Sequence, residues 1–398
     1  MSRVAVPDLA SPRFKANPYP FYARLRADAP LYRVRLPLFG TVWLVTRYDD
    51  VLALLRDERL ANDWSPRMPW LLLRFARTIT SNMLNRDPPQ HTRLRALVHR
   101  AFTSRLIDRL QDRIERLCDE LLETTLVRVG GKIELVRGYA LPLPITVIAE
   151  LLGIPPADRA RFRAWSGSLV AVSSGADLAR SIPTVWSLLR YLRRLFALRR
   201  ADPRDDLVTA LVQVEEAGDR LREDELLAMV ILLLIAGFET TTNLIASGAL
   251  ALLQHPEQRD RLQQGADQAG RAIEELLRYA SPLEIASARL AREAITIRSV
   301  TIPPGELVAL VLGSANHDDA QFPKPDLLDV TREPNRHLAF GLGPHFCLGA
   351  PLARLEGRIA LTTLFRRAPD LRLSRPAQPL RWRKSLLLRG LQALPLTM

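Results

Sequence analysis

Phe340-Gly341-Leu342-Gly343-Pro344-His345-Phe346-Cys347-Leu348-Gly349 places one sulfur on a loop punctuated by glycines at 341, 343 and 349. The stretch that follows, Leu352-Ala353-Arg354-Leu355-Glu356-Gly357-Arg358-Ile359-Ala360-Leu361, repeats apolar residues at every third or fourth position and predicts a helix. Pro351 falls in its first turn, where a missing N–H costs nothing. The loop therefore delivers Cys347 to a helix N-terminus, where unpaired backbone N–H groups and the helix dipole favour the thiolate. Glycines let such a loop run close against a flat object with no side chain in the way.

Three readings of Cys347 compete. A lone cysteine is most often a small buried hydrophobe, but that role needs neither three glycines nor His345 two positions earlier. A structural zinc site needs about four ligands. The other cysteine, Cys118, lies in the amphipathic pattern Ile114-Glu115-Arg116-Leu117-Cys118-Asp119-Glu120-Leu121-Leu122 and reads as packing. A deprotonated sulfur presented by a close-packed loop suits the axial position of haem iron, and the composition of the loop selects that third reading.

The 398 residues contain no Gly/Ser-rich linker, low-complexity segment or internal repeat, so one compact unit over 1–398 is expected. Two cysteines exclude a disulfide framework and fit a reducing cytoplasm. The net charge of +13 rests almost entirely on arginine, the lysines being Lys15, Lys132, Lys324 and Lys384. The arginines are spread over many segments without interleaved aromatics, which argues against nucleic acid and for a solvated basic surface. The N-terminus Met1-Ser2-Arg3-Val4-Ala5-Val6-Pro7-Asp8 carries no apolar signal or anchor segment.

Helical spacing of apolar residues covers 47–57, 91–101, 104–127, 142–152, 185–200 and 223–254, while Leu31–Val34, Val42–Thr46, Ile295–Ile302 and Val308–Leu312 read as strands. The expected class is mainly α with small β-sheets (α+β), the β-rich parts lying near the N-terminus and around 280–312. Leu226–Leu253 carries a single charge, Glu239, over more than the ~20 residues that span a bilayer. A transmembrane helix is one reading. The polar cluster Glu239-Thr240-Thr241-Thr242-Asn243 at its middle and the lack of a second such span favour a helix buried inside a large protein.

These motifs together resemble the cytochrome P450 family of haem-thiolate monooxygenases, of the soluble bacterial type. The family's Phe-x-x-Gly-x-His/Arg-x-Cys-x-Gly is matched by Phe340, Gly343, His345, Cys347 and Gly349, with Gly341 inside the same loop. Ala236-Gly237-Phe238-Glu239-Thr240 matches the family's Ala/Gly-Gly-x-Asp/Glu-Thr, and Asp87-Pro88-Pro89-Gln90-His91-Thr92-Arg93-Leu94-Arg95 its Asp-Pro-Pro-x-His-x-x-x-Arg. Glu275 and Arg278 form its Glu-x-x-Arg, and the likeness runs from about Asn17 onward. One departure stands out. Pro323-Lys324-Pro325-Asp326-Leu327-Leu328-Asp329 lacks the aromatic and basic residues usual after Pro-x, which leaves Arg332 or Arg336 as the third member of that ionic cluster and haem retention in question.

The resemblance implies haem b held between a long central helix and the helix after Cys347, which ligates the iron. His91, Arg95, Arg289 and His345 would meet the propionates, as buried carboxylates require, with Arg93 pointing elsewhere, and Ala236 and Gly237 would admit the macrocycle. Thr240 would order a water and Glu239 would feed protons inward, the alternative being a polar interruption satisfied by neighbouring helices. The Glu275–Arg278 pair would be structural. The pocket would draw on 62–85, 166–186, 232–240, 282–288 and 385–392, including Trp64, Met68, Trp70, Leu71, Leu72, Trp165, Leu232, Ile235, Leu283, Ile285 and Leu387. That lining implies a lipophilic substrate of terpene, steroid, polyketide or fatty acyl type. A monomer is expected to receive electrons from a ferredoxin and ferredoxin reductase, docked on a basic face drawn from Arg100, Arg105, Arg109, Arg354 and Arg358. Peroxide-driven oxidation or phenol coupling on the same haem, and a non-catalytic haem sensor, are the rival readings.

Overall fold

The computed structural model describes residues 6–36, 40–63, 80–127, 132–170, 175–216 and 218–398. The chain forms two compact units: Met1–Asn62, Glu115–Ala140 and Thr240–Met398 make the first, Asp63–Ile114 and Leu141–Glu239 the second. The boundary falls inside the helix Glu223–Gln254, between Glu239 and Thr240.

The first unit contains a five-stranded sheet in the order Leu31–Leu36, Gly40–Val45, Leu307–Leu310, Arg289–Ala291, Leu60–Ala61. Leu31 pairs with Val45 in the antiparallel hairpin, and Leu310 pairs with the same Val45 in parallel. Period-2 alternation sends Leu31, Val45, Val308 and Leu310 to one hydrophobic cluster and Val34, Val42, Leu44, Leu307 and Ala309 to another. Leu307–Leu310 is buried at every position, as a central strand covered on both faces requires. Phe14, Phe21 and Tyr22 close the second cluster, Phe14 packing edge-on against both of the other rings. The predicted strand Ile295–Ile302 is a hairpin of Ile295–Ile297 and Val300–Ile302, turned at Arg298, whose φ is +56°.

Three helices of this unit pack so closely that two glycines are needed. A Cβ on Gly357 of Ala350–Arg367 would sit 2.9 Å from Leu244 Cδ2, and one on Gly248 would sit 3.1 Å from Leu361 Cδ1 and 3.3 Å from Leu276 Cδ1. Leu244 and Gly248 lie on the central helix and Leu276 on the helix Ala266–Ala280, so the glycines set the spacing at which these helices interlock. Tyr139 adds a hydrogen bond from its hydroxyl to Ala360 O at 2.8 Å. A small sheet of Lys132–Glu134, Pro395–Thr397 and Arg372–Leu373 finishes the unit.

The second unit is helical, with Gln90–Ala101, Pro142–Leu151, Arg159–Val170, Gly175–Ala201 and Leu207–Gln213 as its main elements. The helix expected over 104–127 is two, Ser104–Asp108 and Gln111–Val127, the second running into the first unit. The helix expected over 185–200 begins ten residues earlier, passing through Pro183. Asp206 caps Leu207–Gln213 by accepting from Thr209 N at 2.8 Å, and also accepts from the buried Arg199.

The apolar helix Glu223–Gln254 has 67% of its most hydrophobic window buried within the protein, so internal packing accounts for its composition. This bears out the reading of a core helix over that of a membrane span.

Glu356, also on Ala350–Arg367, is buried with no hydrogen-bond partner for Oε2, and burial pushes its carboxyl up to about 8. The unfolded chain releases that proton near 4.5, so the folded protein loses stability as pH rises from there to about 8. Glu356→Gln, which cannot ionise, is expected to match the native protein near the lower limit. It should become more stable than the native protein by a few kcal/mol toward the upper one. Urea unfolding midpoints across that range measure the difference; a pH-independent gap would count against it.

Candidate active site

The cysteine loop is a closed hairpin. Gly341 N donates to Leu338 O at 2.9 Å, Cys347 N to Phe340 O at 3.0 Å, and Phe346 N to Gly343 O at 3.0 Å around the 3-10 turn Gly343–His345. Gly341 and Gly343 have φ of +68° and +76°, which a side chain would strain, and a Cβ on Gly343 would lie 3.1 Å from Leu55 O. Cys347 is exposed two residues before Gly349, the N-cap of Ala350–Arg367. The sulfur thus stands at the positive end of an 18-residue helix.

Two adjacent carboxylates hold the chain that leads into this loop and the helix that follows it. Glu275 is wholly buried and bonded to Arg278 at 2.7 and 2.8 Å; Arg278 also donates to Asn316 O and Pro325 O at 2.9 and 2.8 Å. The third member is Arg332, whose Nε lies 3.3 and 3.2 Å from the two Glu275 oxygens while Nη1 donates to Pro323 O at 3.0 Å. Asp329 N and Asn335 Nδ2 add donors to Glu275 at 3.0 Å each. The altered loop after Pro323 therefore keeps the ionic cluster by supplying it from Arg332.

Glu274, its neighbour, binds Arg354 through two hydrogen bonds of 2.6 and 2.8 Å and His337 Nε2 at 3.1 Å. Burial works to raise the Glu274 pKa, but these hydrogen bonds outweigh it and hold it at about 2. The Arg354 guanidinium also lies 4.6 Å from the Phe340 ring centre. Glu274 and His337 carry no motif of their own in the sequence, and Arg354, expected on a docking face, is paired with Glu274. A carboxylate adjacent in sequence to a buried one was the available signal. Arg354 is neutralised by Glu274, as Arg109 is by Asp205.

Arg289 is buried on its strand, with Nη1 donating to Leu54 O and Leu55 O at 3.0 and 3.1 Å. The Leu55 carbonyl is the one beside Gly343, so Arg289 and the cysteine loop meet at a single turn. In the second unit His91 is buried near the start of Gln90–Ala101, its pKa lowered by burial and by the charge of Arg95. Arg93 turns instead to Asp219 and Glu225. Ala236, Gly237, Glu239 and Thr240 lie on the unbroken helix Glu223–Gln254. From Glu225 to Leu252 every position is buried except Leu232, Leu233, Ile235, Ala236, Gly237, Glu239 and Thr240.

Among the expected pocket residues, Ile285 is packed instead into the cluster with Phe14, Tyr22 and Leu44, and Trp165 is buried against Tyr191. Leu232, Ile235 and Leu283 are half-buried and Leu387 is exposed. Trp64, Met68, Trp70, Leu71 and Leu72 lie outside the described residues, as does the side chain of Arg105.

By their chemistry, a sulfur at a helix N-terminus with Arg289 in the first unit suits a haem and its carboxylates, and in the second unit His91, Arg95, the exposed Ala236 and the half-buried Gly237 are residue types that suit the same group. Comparison with known proteins agrees. A family model described as Cytochrome P450 matches residues 191–368. The chain is 46% identical to the vitamin D(3) 25-hydroxylase of Pseudonocardia autotrophica, across 98% of this chain and 96% of that one. It is 44% identical to the cytochrome P450 monooxygenase PikC of Streptomyces venezuelae, across 96% and 91%. This chain belongs to the cytochrome P450 family.

The P450 fold is seen again in the solved structure of the Bacillus subtilis polyketide synthase cytochrome P450 PksS, with a TM-score of 0.92, 41% identity, and 98% of this chain and 99% of that one covered. The protein is accordingly a P450 monooxygenase, an oxidoreductase of a family that carries haem. The ionic cluster sets its tolerance to substitution. Arg278→Leu strips Glu275 of its fully buried partner and is expected to cost about 3–5 kcal/mol. Arg332→Leu, leaving Arg278 and Asn335 in place, should cost about 1–3 kcal/mol. Loss of the haem absorbance during denaturant titration ranks the two; an equal or reversed order would be inconsistent with this hierarchy.

Proposed function

We propose that this P450 binds haem b through Cys347 and hydroxylates or epoxidises a lipophilic polyketide-like or steroid-like molecule in the cytoplasm. The observation that carries the reading is the uncovered stretch of an otherwise buried helix, Leu232 to Thr240, apolar over most of its length and polar at Glu239 and Thr240. Bound haem supplies dioxygen activation and transfer of one oxygen atom to carbon. Around it the chain's own residues have separable tasks. The helix N-terminus behind Cys347 favours its thiolate, and Phe340, Gly341, His345 and Gly349 shape the loop that presents it. Arg289 and Arg95 would neutralise the propionates and His91 and His345 would donate hydrogen bonds to them, while Ala236 and Gly237 would let a flat group approach the helix backbone.

Thr240 holds a water in place with its hydroxyl, and Glu239 passes protons from solvent to that water. The electrons come from a ferredoxin and its reductase; the sequence carries no flavin or iron–sulfur motif of its own. The substrate class is supported by relatives named for polyketide biosynthesis and for vitamin D hydroxylation, and by Leu232, Leu233 and Ile235 on the uncovered face.

A spectral-shift screen of macrolactones and secosteroids against the ferric protein tests the substrate reading, followed by product analysis with a ferredoxin pair. Absence of any shift or product from both classes would overturn it. Thr240→Ala is expected to retain haem yet to divert electron flow from product to peroxide, lowering product per electron pair on the order of tenfold. Unchanged coupling would remove Thr240 from the proton path. Reduction by an acidic ferredoxin should slow steeply between low and physiological ionic strength, as stopped-flow measurements would report.

A further inference from the structure

Arg354 stands on Ala350–Arg367, the helix that begins just after Cys347, and its guanidinium lies 4.6 Å from the ring centre of Phe340. The carbonyl of that same Phe340 accepts the Cys347 N–H at 3.0 Å. Ring, backbone and sulfur therefore belong to one hairpin, with a cation laid along its side. The rings of His337 and Phe346 stand 6.0 and 6.3 Å from that of Phe340. The side chains of Arg354 and Glu274 are only 38% and 29% exposed, so water does not fully screen either charge.

The cation and the sulfur are coupled. The Arg354 pKa is raised first by its hydrogen bonds to Glu274 and, against burial, by the charges of Glu274 and of the Cys347 thiolate. Such coupling is reciprocal, so Arg354 favours negative charge at the sulfur in turn. Glu274 offsets it, taking Arg354 Nε and Nη2 at 2.6 and 2.8 Å. His337 Nδ1 accepts from Ala339 N at 3.2 Å while Nε2 lies 3.1 Å from Glu274 Oε2. A ring bonded in this way brings the carboxylate a donor and no charge. The hairpin is thus flanked by two opposite charges that nearly cancel.

On the reading that Cys347 is the axial ligand, we propose that Glu274 and Arg354 together set how readily the haem iron accepts an electron. Arg354 favours the added negative charge, and Glu274 limits that influence by neutralising it. Both are positioning residues, acting through the sulfur.

The test measures the ferric–ferrous midpoint potential of the holoenzyme by spectroelectrochemistry, with imidazole filling the sixth iron position in every sample. One electron passes from dithionite to ferric iron, and no bond is made or broken. Glu274→Gln, which frees the Arg354 charge, should favour ferrous iron about tenfold, raising the potential by about 59 mV. Arg354→Gln, which frees the Glu274 charge, should shift the equilibrium about tenfold the other way. The double variant should return to within about twofold of native, as should Arg354→Lys, which keeps the cation. A merely loosened hairpin would move both single Gln variants in one direction. That result, potentials unmoved in both, or a double variant as displaced as either single one would overturn the proposal. Native protein whose ferrous–carbon monoxide complex lacks the thiolate spectrum would overturn the haem reading as well; with that spectrum present, the potentials bear on the pair alone.

Discussion

One buried carboxylate organises the region around the cysteine. Glu275 is fully excluded from water, a position that would cost several kcal/mol for an isolated charge. Its two oxygens instead collect donors from Arg278, Arg332, Asn335 and the Asp329 backbone, and the two arginines reach onward to four loop carbonyls, those of Asn316, Pro323, Pro325 and Leu327. A stretch from 316 to 335 with little regular structure is thereby fixed to a helix. Glu274 extends the same helix's hold to Arg354 and His337, and through Arg354 to Phe340 at the root of the cysteine hairpin. The helix Ala266–Ala280 thus acts on the loop through charge, while on its other side Leu276 meets Gly248 through apolar packing.

The basic composition acquires a meaning it lacked as a sum. A few of the arginines are internal fasteners. Arg199, Arg278, Arg289 and Arg389 are buried, each giving hydrogen bonds to backbone carbonyls. A planar fork with five donors suits that task better than lysine does, which matches the scarcity of lysine in the chain. The one lysine in the core, Lys15, is held by Glu284 and the Leu386 carbonyl, and its pKa is lowered by burial.

Much of this was legible in the sequence. The loop Phe340–Gly349, the helix 223–254 and the strands of the hairpin Leu31–Val45 follow from spacing and glycine placement, because each is decided by local periodicity. The break near Arg109 and the start at Gly175 are not visible in the spacing of apolar residues, which leaves helix ends the least determined part of the reading. Arg332 stood as one of two candidates for the ionic cluster, and only the course of the loop separates it from Arg336. Glu274 was hidden by its neighbour: two adjacent glutamates on a helix look like a solvated edge until both are seen paired with arginine. Ile285 was misplaced because an apolar residue beside a site residue can face either side of a strand-like segment.

The connectivity of the sheets bears on how the chain acquires its structure during synthesis. The second unit is built from residues 63–239 with one excursion, so all its parts have emerged when residue 239 does. The hairpin Leu31–Val45 must by contrast wait for Leu307–Leu310 before its open edge is paired, and Lys132–Glu134 waits for Pro395–Thr397. Strands whose partners lie more than 250 residues downstream leave apolar edges uncovered while translation proceeds. At bacterial elongation rates that interval is tens of seconds. Vectorial synthesis therefore makes the first unit the late-maturing half, exposed to chaperones for longest, and the cysteine hairpin is completed near the end of it.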